Sequence, residues 1–275
     1  MTLTDRVAVV TGASSGIGLA LSEHLSQQGV KVVLAARRED RLGDAVQRIR
    51  SRGGRAEAVR TDVASEESVQ RLVARALEAF GRLDIMVCNA GFGYYGTVDE
   101  TPGDVMRRMM DVNFMGTFYG ARAAVPVFRR QGHGHLVFVS SIAGCRGIPF
   151  MSGYSATKAA QARFAESLRS EFSGTDIHVS VVFPVSTTTE FRQAMQRDFG
   201  HQVSGLGPTQ SVDDVARAIV TCLQNPRPEV FPHAKSRVLA IVNAVAPGFT
   251  DRLVRKYGRR RVVERAAASE PAERK

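Results

Sequence analysis

Apolar and polar positions divide the chain of 275 residues into short apolar runs separated by amphipathic stretches. The runs are Val7–Val10, Val30–Ala36, Ala56–Arg60, Leu83–Cys88, Leu136–Ser140 and Val179–Phe183. Such near-continuous runs, unlike alternating ones, suit strands buried on both faces of a parallel sheet. The stretches between them read as helices. In "SEESVQRLVARALEAFG", Ser65 suits an N-cap, Glu66 and Glu67 suit the positive end of the helix, and Gly81 suits its C-terminal stop. Strand and helix alternating in this order predict right-handed crossovers and a doubly wound α/β sheet. No linker or repeat interrupts the pattern, so one domain over 1–250 is expected, with a C-terminal helical extension and a basic, partly flexible tail over 251–275.

Composition narrows this little: 44% hydrophobic and 23% charged residues are ordinary for a globular chain. Cys88, Cys145 and Cys222 have no paired spacing, which fits a reducing, cytoplasmic setting and argues against a disulfide framework or a zinc site. The start "MTLTDRVAVVTG" carries an acid and no long apolar stretch behind a basic start, so no leader is expected, and no apolar run reaches the ~18 residues of a spanning helix. The net charge of +10 changes meaning once mapped. Residues 252–275 hold nine Lys or Arg against three Glu, so most of the excess sits on the tail. With one aromatic, Tyr257, and no base-reading module, that tail is a poor nucleic-acid signal.

Chemistry enters at "VAVVTGASSGIGLALSEHL", where Gly12, Gly16 and Gly18 lie between a strand and an amphipathic helix. Glycines there let the backbone turn tightly and approach a pyrophosphate at the helix N-terminus, where free N–H groups and the helix dipole favour anions. A glycine-rich turn without a ligand is the alternative. The strand before and helix after favour a dinucleotide. The spacing is G-x-x-x-G-x-G, and here the chain resembles the short-chain dehydrogenase/reductase family, whose motif is TGxxxGxG. The resemblance covers about residues 5–225 and continues in order through "TGASSGIG", Asp62-Val63, "NAG" at 89–91, Asn113, Ser141, Tyr154 and Lys158. It implies a Rossmann-type oxidoreductase with a nicotinamide cofactor. Ser14, Ser15 and Ile17 fall inside its phosphate loop, Asp62 and Val63 at the adenine, and Asn89, Ala90 and Gly91 along the ribose side.

An acid at the end of the second strand bonds the ribose hydroxyls of NAD, whereas an arginine accommodates the extra phosphate of NADP. Here that strand ends "VVLAARRED", with Ala36 followed by Arg37 and Arg38. A fork-shaped guanidinium suits a phosphate, so NADP(H) is expected, with Arg37 as first choice and Arg38 as second. The competing reading is a solvated helix start in which Glu39 and Asp40 pair with the arginines.

Interconverting a carbonyl and an alcohol needs a proton donor at the oxygen and groups to polarise it. Tyr154 and Lys158 share a helical face at i and i+4, and an ammonium beside a phenol favours phenolate. Ser141 lies at the C-terminal end of a strand, where α/β sheets place ligand-contacting groups. The resemblance implies Tyr154 as general acid/base, Lys158 lowering its pKa and bonding the nicotinamide ribose, and Ser141 holding the substrate oxygen. It implies Asn113 as the residue that positions a water relaying protons to Lys158. The family pattern P-G-x-x-x-T appears as Pro184, Val185 and Thr189. Valine disfavours backbone angles open to glycine, so Thr187 and Thr188 are alternatives for the carboxamide contact.

Phe92, Tyr94, Tyr95, Phe150 and Met151, with Phe191, Met195 and Phe199 in a lid over about 189–210, suggest an apolar or aromatic carbonyl or alcohol. A 3-oxoacyl thioester reductase is the second enzyme reading. A non-catalytic NADP-binding or membrane-associated scaffold is the reading from another class. His133 and His135 lack an accompanying acid or cysteine at ligand spacing, so no metal is expected. Relatives pair through helices corresponding to 104–130 and 154–172, which makes a homodimer the expected assembly. The apolar helix around Ser236–Ala246 and the basic tail read as a core or pocket-capping helix with a solvated end, ahead of peripheral membrane contact.

Overall fold

The structure, a computed structural model, describes residues 2–187 and 209–255. Seven parallel strands form one sheet: β1 (Val7–Thr11), β2 (Lys31–Ala36), β3 (Ala56–Arg60), β4 (Ile85–Cys88), β5 (His133–Val139), β6 (Asp176–Val182) and β7 (Glu229–Val230). Their order is β3-β2-β1-β4-β5-β6-β7. This is the doubly wound architecture the apolar runs predict. Each run supplies a strand, and β5 and β6 depart most from their runs because they begin at His133 and Asp176, ahead of Leu136 and Val179. The polar "HGH" start still pairs with β6, His133 opposite Asp176, and the buried His135 meets the Ser180 hydroxyl at 2.8 Å.

Side chains alternate across the sheet with period two. Ala8, Val10, Val32 and Leu34 pack on one face against α1 (Gly16–Gln27), α2 (Glu39–Ser51) and α8 (Val212–Gln224). Val9, Val33, Met86 and Phe138 pack on the other against α3 (Glu66–Phe80), α5 (Gly116–Gln131) and α7 (Ser152–Glu171). Ser65 caps α3 by accepting from the Ser68 N–H at 3.2 Å, and Gly81 ends it at φ 74°.

The stretch expected as one helix over 104–130 is α4 (Gly103–Met109), a π-helical turn at Met110–Met115, and α5. A π turn holds an extra residue and is often found at functional sites. This one carries Asn113, with no solvent exposure.

At the N-terminal ends of the strands, Asp84 accepts from Arg6 Nη1 at 2.8 Å, Arg82 Nε at 2.8 Å and the Val7 N–H at 2.8 Å, and pairs with His133 Nε2 at 2.9 Å. Burial opposes its charge, but these partners outweigh burial and hold the carboxyl down at about 2. His133, which has no acid near it in sequence, thus has one across the sheet. It completes a hydrogen-bonded cluster around Asp84 that ties β1, β4 and β5 together.

Beyond β7, α9 (Ala234–Val245) and a helix over 247–255 (α10) extend the chain. They dock on α6 (Ile142–Cys145) through Asn243 Nδ2 donating to the Cys145 carbonyl at 3.0 Å and through an Arg146–Asp251 ion pair. Ser236 is the one buried residue of α9, so it is not a core helix. Val238, Ile241, Val245, Phe249 and Leu253 are instead 54–81% exposed. Among the described residues no helix is long and apolar enough to cross a membrane.

Candidate functional site

The sheet order reverses at β1, whose neighbours are β2 and β4, and the loops after these strands frame a crevice. The loop after β1 turns at Gly12 (φ 67°) and Gly16 (φ 57°), a left-handed region that side chains rarely adopt. Gly18 must lack a side chain for another reason: a Cβ there would lie 2.5 Å from the Gly12 carbonyl and 2.6 Å from Asn89 Nδ2. Thr11 joins this loop to the next, its hydroxyl accepting from the Asn89 and Ala90 N–H groups at 2.9 and 3.1 Å. Asn89 Nδ2 returns to the Thr11 carbonyl at 2.9 Å. Sequence reasoning misses Thr11 as a tie between the loops, although it stands inside the glycine motif. Ser15 is the N-cap of α1 but makes no side-chain cap bond, so the helix presents uncapped backbone donors. This cradle fits a pyrophosphate.

Of the two arginines after β2, Arg38 reaches the loop: Nε and Nη2 donate to the Ser14 hydroxyl at 3.3 and 3.0 Å, and Nη2 to Ser15 at 2.9 Å. Arg37 makes no such contact among the described residues. Asp62 uses Oδ1 to accept from the Ala64 N–H at 3.1 Å, ordering the turn after β3, and Val63 packs beside Gly116.

Across the crevice, Ser141 caps α6 and its hydroxyl hydrogen-bonds the Tyr154 phenol. Tyr154 and Lys158, one turn apart on α7, are both buried, and Lys158 Nζ lies 5.7 Å from the centre of the tyrosine ring. Lys158 Nζ donates to the Val139 carbonyl at 2.9 Å and to Gln161 Oε1 at 3.0 Å. Burial pushes the Tyr154 phenol up to about 12, against the Ser141 hydrogen bond, and pushes Lys158 down to about 7. Each is therefore shifted away from its charged form, and any lowering of the phenol by the ammonium acts against that burial. Gly91 sits over the pair, where a Cβ would meet Asn113 Oδ1 at 3.0 Å and Lys158 Nζ at 3.4 Å.

Asn113 joins this cluster by two routes. Its side chain exchanges bonds with the Phe92 backbone, both at 2.9 Å, and donates to Thr157 Oγ1 at 2.9 Å. Its main-chain carbonyl accepts from Thr117 Oγ1 and Gln161 Nε2, both at 2.8 Å.

Tyr154 also belongs to an apolar cluster with Met109 and Ala143, against which Phe92, Tyr94 and Met151 pack. The rings of Tyr95 and Phe150 meet at a tilt with centres 5.4 Å apart, and Phe150 is held at φ 64°. A bulky residue at positive φ stores strain, a feature concentrated at ligand-contacting loops. After β6, Pro184 accepts from the Ile142 N–H at 3.0 Å, and Val185 is not at positive φ, so its backbone needs no glycine. Thr187 pairs with Gln210. Thr188, Thr189, Phe191, Met195, Phe199 and most of the expected lid lie outside the described residues.

Residues 6–199 match the model of the short chain dehydrogenase family. An uncharacterized oxidoreductase of Bacillus subtilis, YxnA, is 34% identical over 261 residues, covering 92% of this chain and 72% of that protein. An uncharacterized oxidoreductase of Listeria innocua is 36% identical over 197 residues, covering 71% of this chain and 79% of its own length. Among solved structures, a short chain dehydrogenase/reductase from Burkholderia phymatum in complex with NAD superposes with a TM-score of 0.82 at 27% identity, covering 91% of this chain and 96% of that one. An alcohol dehydrogenase from the archaeon Thermococcus sibiricus, complexed with 5-hydroxy-NADP, gives 0.73 at 29% identity, covering 82% and 95%.

Proposed function

Because the chain belongs to the short-chain dehydrogenase/reductase family, we propose that it is an NADP(H)-dependent oxidoreductase interconverting a secondary alcohol and a ketone on an apolar substrate. The observation that carries this reading is the Ser141–Tyr154–Lys158 cluster, in which Tyr154 and Lys158 are buried, set against an apolar wall. When bound, the nicotinamide supplies or accepts the hydride. In reduction, the Tyr154 O–H gives its proton to the carbonyl oxygen as charge develops there, and Ser141 donates a second hydrogen bond to that oxygen. In oxidation, Tyr154 takes the proton back. Lys158 uses its remaining N–H toward the ribose, and its charge offsets part of the burial cost of phenolate.

Several observations favour NADP over NAD. The end of β2 carries no acid at Ala36, and Arg38 already holds the Ser14 and Ser15 hydroxyls in one cluster of donors suited to a phosphate. Arg37, one residue earlier, is a second source of positive charge. Phe92, Tyr94, Tyr95, Phe150 and Met151 supply the apolar wall for the substrate. A homodimer through the π turn, α5 and α7 is supported by half-buried aromatic rings there, Phe114 and Phe118 each 5.9 Å from Phe164.

Peripheral contact with an anionic lipid surface is supported by the exposed stripe from Val238 to Leu253. Beside it are Lys235, Arg237, Arg252 and Arg255, and the acid there, Asp251, is paired with Arg146.

Titration with NADPH and NADH by fluorescence, followed by turnover on ketones from small aliphatic to steroid-sized and on a 3-oxoacyl thioester, tests the reading. Tight NADPH binding with turnover of apolar ketones is expected. Turnover of the thioester alone would move the assignment to that class, and no binding of either nucleotide would sink it.

A further inference from the structure

We propose that Gln161 is a positioning residue for Lys158: its side-chain amide spans from the lysine ammonium to the main-chain carbonyl of Asn113 and occupies the space between them. This rests on reading the site as a Tyr154–Lys158 proton-transfer centre.

The hydrogen bonds fix which way the amide faces. Thr117 Oγ1 donates its one proton to the Asn113 carbonyl at 2.8 Å, so it can only accept from Gln161. The atom facing Thr117 at 2.6 Å and the Asn113 carbonyl at 2.8 Å is therefore the amide nitrogen, the only donor on the Gln161 side chain. That leaves Gln161 Oε1 turned toward Lys158 Nζ at 3.0 Å, as an acceptor for the ammonium. Gln161 has no solvent exposure, and all of this lies inside the packed interface of α7 with the π turn.

That geometry constrains both the proton path and the charge on the lysine. A carbonyl oxygen has two lone pairs, and the Asn113 carbonyl already accepts from Thr117 and Gln161. A water linking Asn113 to Lys158, the relay that the family resemblance implies, would have to displace the Gln161 amide. An amide oxygen is far too weak a base to take a proton from an ammonium, so Gln161 holds Lys158 without passing its proton on, and exchange is left to the third N–H of the ammonium.

The effect on charge is electrostatic. A hydrogen bond accepted from the ammonium favours the charged form, against the burial that holds Lys158 down at about 7. The groups around Lys158 are otherwise neutral: the Val139 carbonyl from β5, Gly91 from the loop after β4 and Asn113 from the π turn. Tyr154, on the same helix, brings a titratable side chain against it, with its ring centre 5.7 Å from Nζ.

The chain has five lysines, few enough for the Cε signal of Lys158 to be followed by NMR in protein labelled with carbon-13 lysine. A titration of wild type, Gln161→Leu and Gln161→Glu reads the charge on Lys158 without any turnover. Gln161→Leu is expected to lower the Lys158 midpoint by about one unit, equivalent to about tenfold less ammonium at a given pH above it. Gln161→Glu keeps an acceptor and is expected to hold or raise the midpoint. In the same Leu variant, the acid limb of alcohol oxidation is expected to move to higher pH, because less ammonium means a less accessible phenolate. An unchanged midpoint in Gln161→Leu, or an equal fall in Gln161→Glu, overturns the proposal. If the leucine variant does not fold, the glutamate variant decides alone, and a lowered midpoint there refutes it. Absence of wild-type turnover would instead strike the oxidoreductase reading, leaving the titration to judge Gln161.

Discussion

Arg38 donates to the Ser14 hydroxyl from both Nε, at 3.3 Å, and Nη2, at 3.0 Å. The two residues come from different βα units, so the contact ties the end of β2 to the phosphate loop after β1. It concentrates a fixed positive charge and two hydroxyls at one place in the crevice. Arg38→Ala is expected to weaken NADPH binding by about tenfold or more, the scale of a lost charge-assisted contact, while changing NADH binding little. Arg37→Ala should have the smaller effect. Paired fluorescence titrations decide this, and an equal loss for both nucleotides in Arg38→Ala would mean that the arginine only props the loop.

Replacing the phenol is the sharpest probe of the chemistry. Tyr154→Phe should lower kcat by at least about 10²-fold, the typical contribution of a positioned proton donor. NADPH affinity should stay within about threefold, because the ring and its packing remain. Ser141→Ala should lower kcat less, since it removes one donor to the oxygen and leaves the proton source in place. Near wild-type turnover in Tyr154→Phe would remove the tyrosine from the mechanism.

Asp84 gives the fold a definite acid sensitivity. Its folded pKa of about 2 lies below the ordinary carboxyl value near 3.8. Its contribution is therefore complete above about pH 4 and is lost as pH falls through about 2, amounting to about 2 kcal/mol. Urea midpoints measured between pH 6 and pH 2.5 should fall steeply in wild type and more gently in Asp84→Asn. The variant should already be less stable at pH 6, because Arg6 and Arg82 lose their common partner. Parallel curves for the two proteins would show that other carboxylates set the acid limit.

The stripe on α9 and α10 can be tested apart from catalysis. Wild-type protein should sediment with vesicles rich in phosphatidylglycerol and far less with neutral phosphatidylcholine, as each basic residue near such a surface adds about 1 kcal/mol. A double variant, Ile241→Ser with Phe249→Ser, should lower vesicle binding about tenfold or more and leave turnover of a water-soluble ketone unchanged. Loss of self-association in that variant, with no vesicle binding in wild type, would assign the stripe to contact between copies of the chain.

Legibility from sequence tracks distance along the chain. The six apolar runs, the cap at Ser65 and the glycine loop are local patterns, set by neighbours within one strand, one turn or one helix. Tyr154 and Lys158 are readable together because they are one helical turn apart. Which arginine faces the loop is not readable: Arg37 and Arg38 are adjacent, and the geometry that brings Arg38 to Ser14 spans 24 residues. Gln161 meets Asn113 across 48 residues, and Asp84 meets Arg6 across 78. Each of these polar residues looks unremarkable alone. Only packing gives it a partner, and no spacing rule anticipates that. The outward face of α9 escapes for a related reason, since an apolar helix has the same pattern whether it enters a core or lies on a surface.

The π turn at Met110–Met115 makes chain length, as well as residue identity, part of the site. A π turn accommodates one residue more than the α-helix on either side of it. Removing a single residue from this segment would let α4 and α5 join as one straight helix, with α4 and the chain before it rotated by about 100° against α5. Asn113 could keep its neighbours in sequence and still lose Phe92, Thr157 and Gln161 in space. A homologue with every polar side chain of the cluster but one residue fewer here would keep the motif and lack the architecture, a difference visible in an alignment as a gap and not as a substitution.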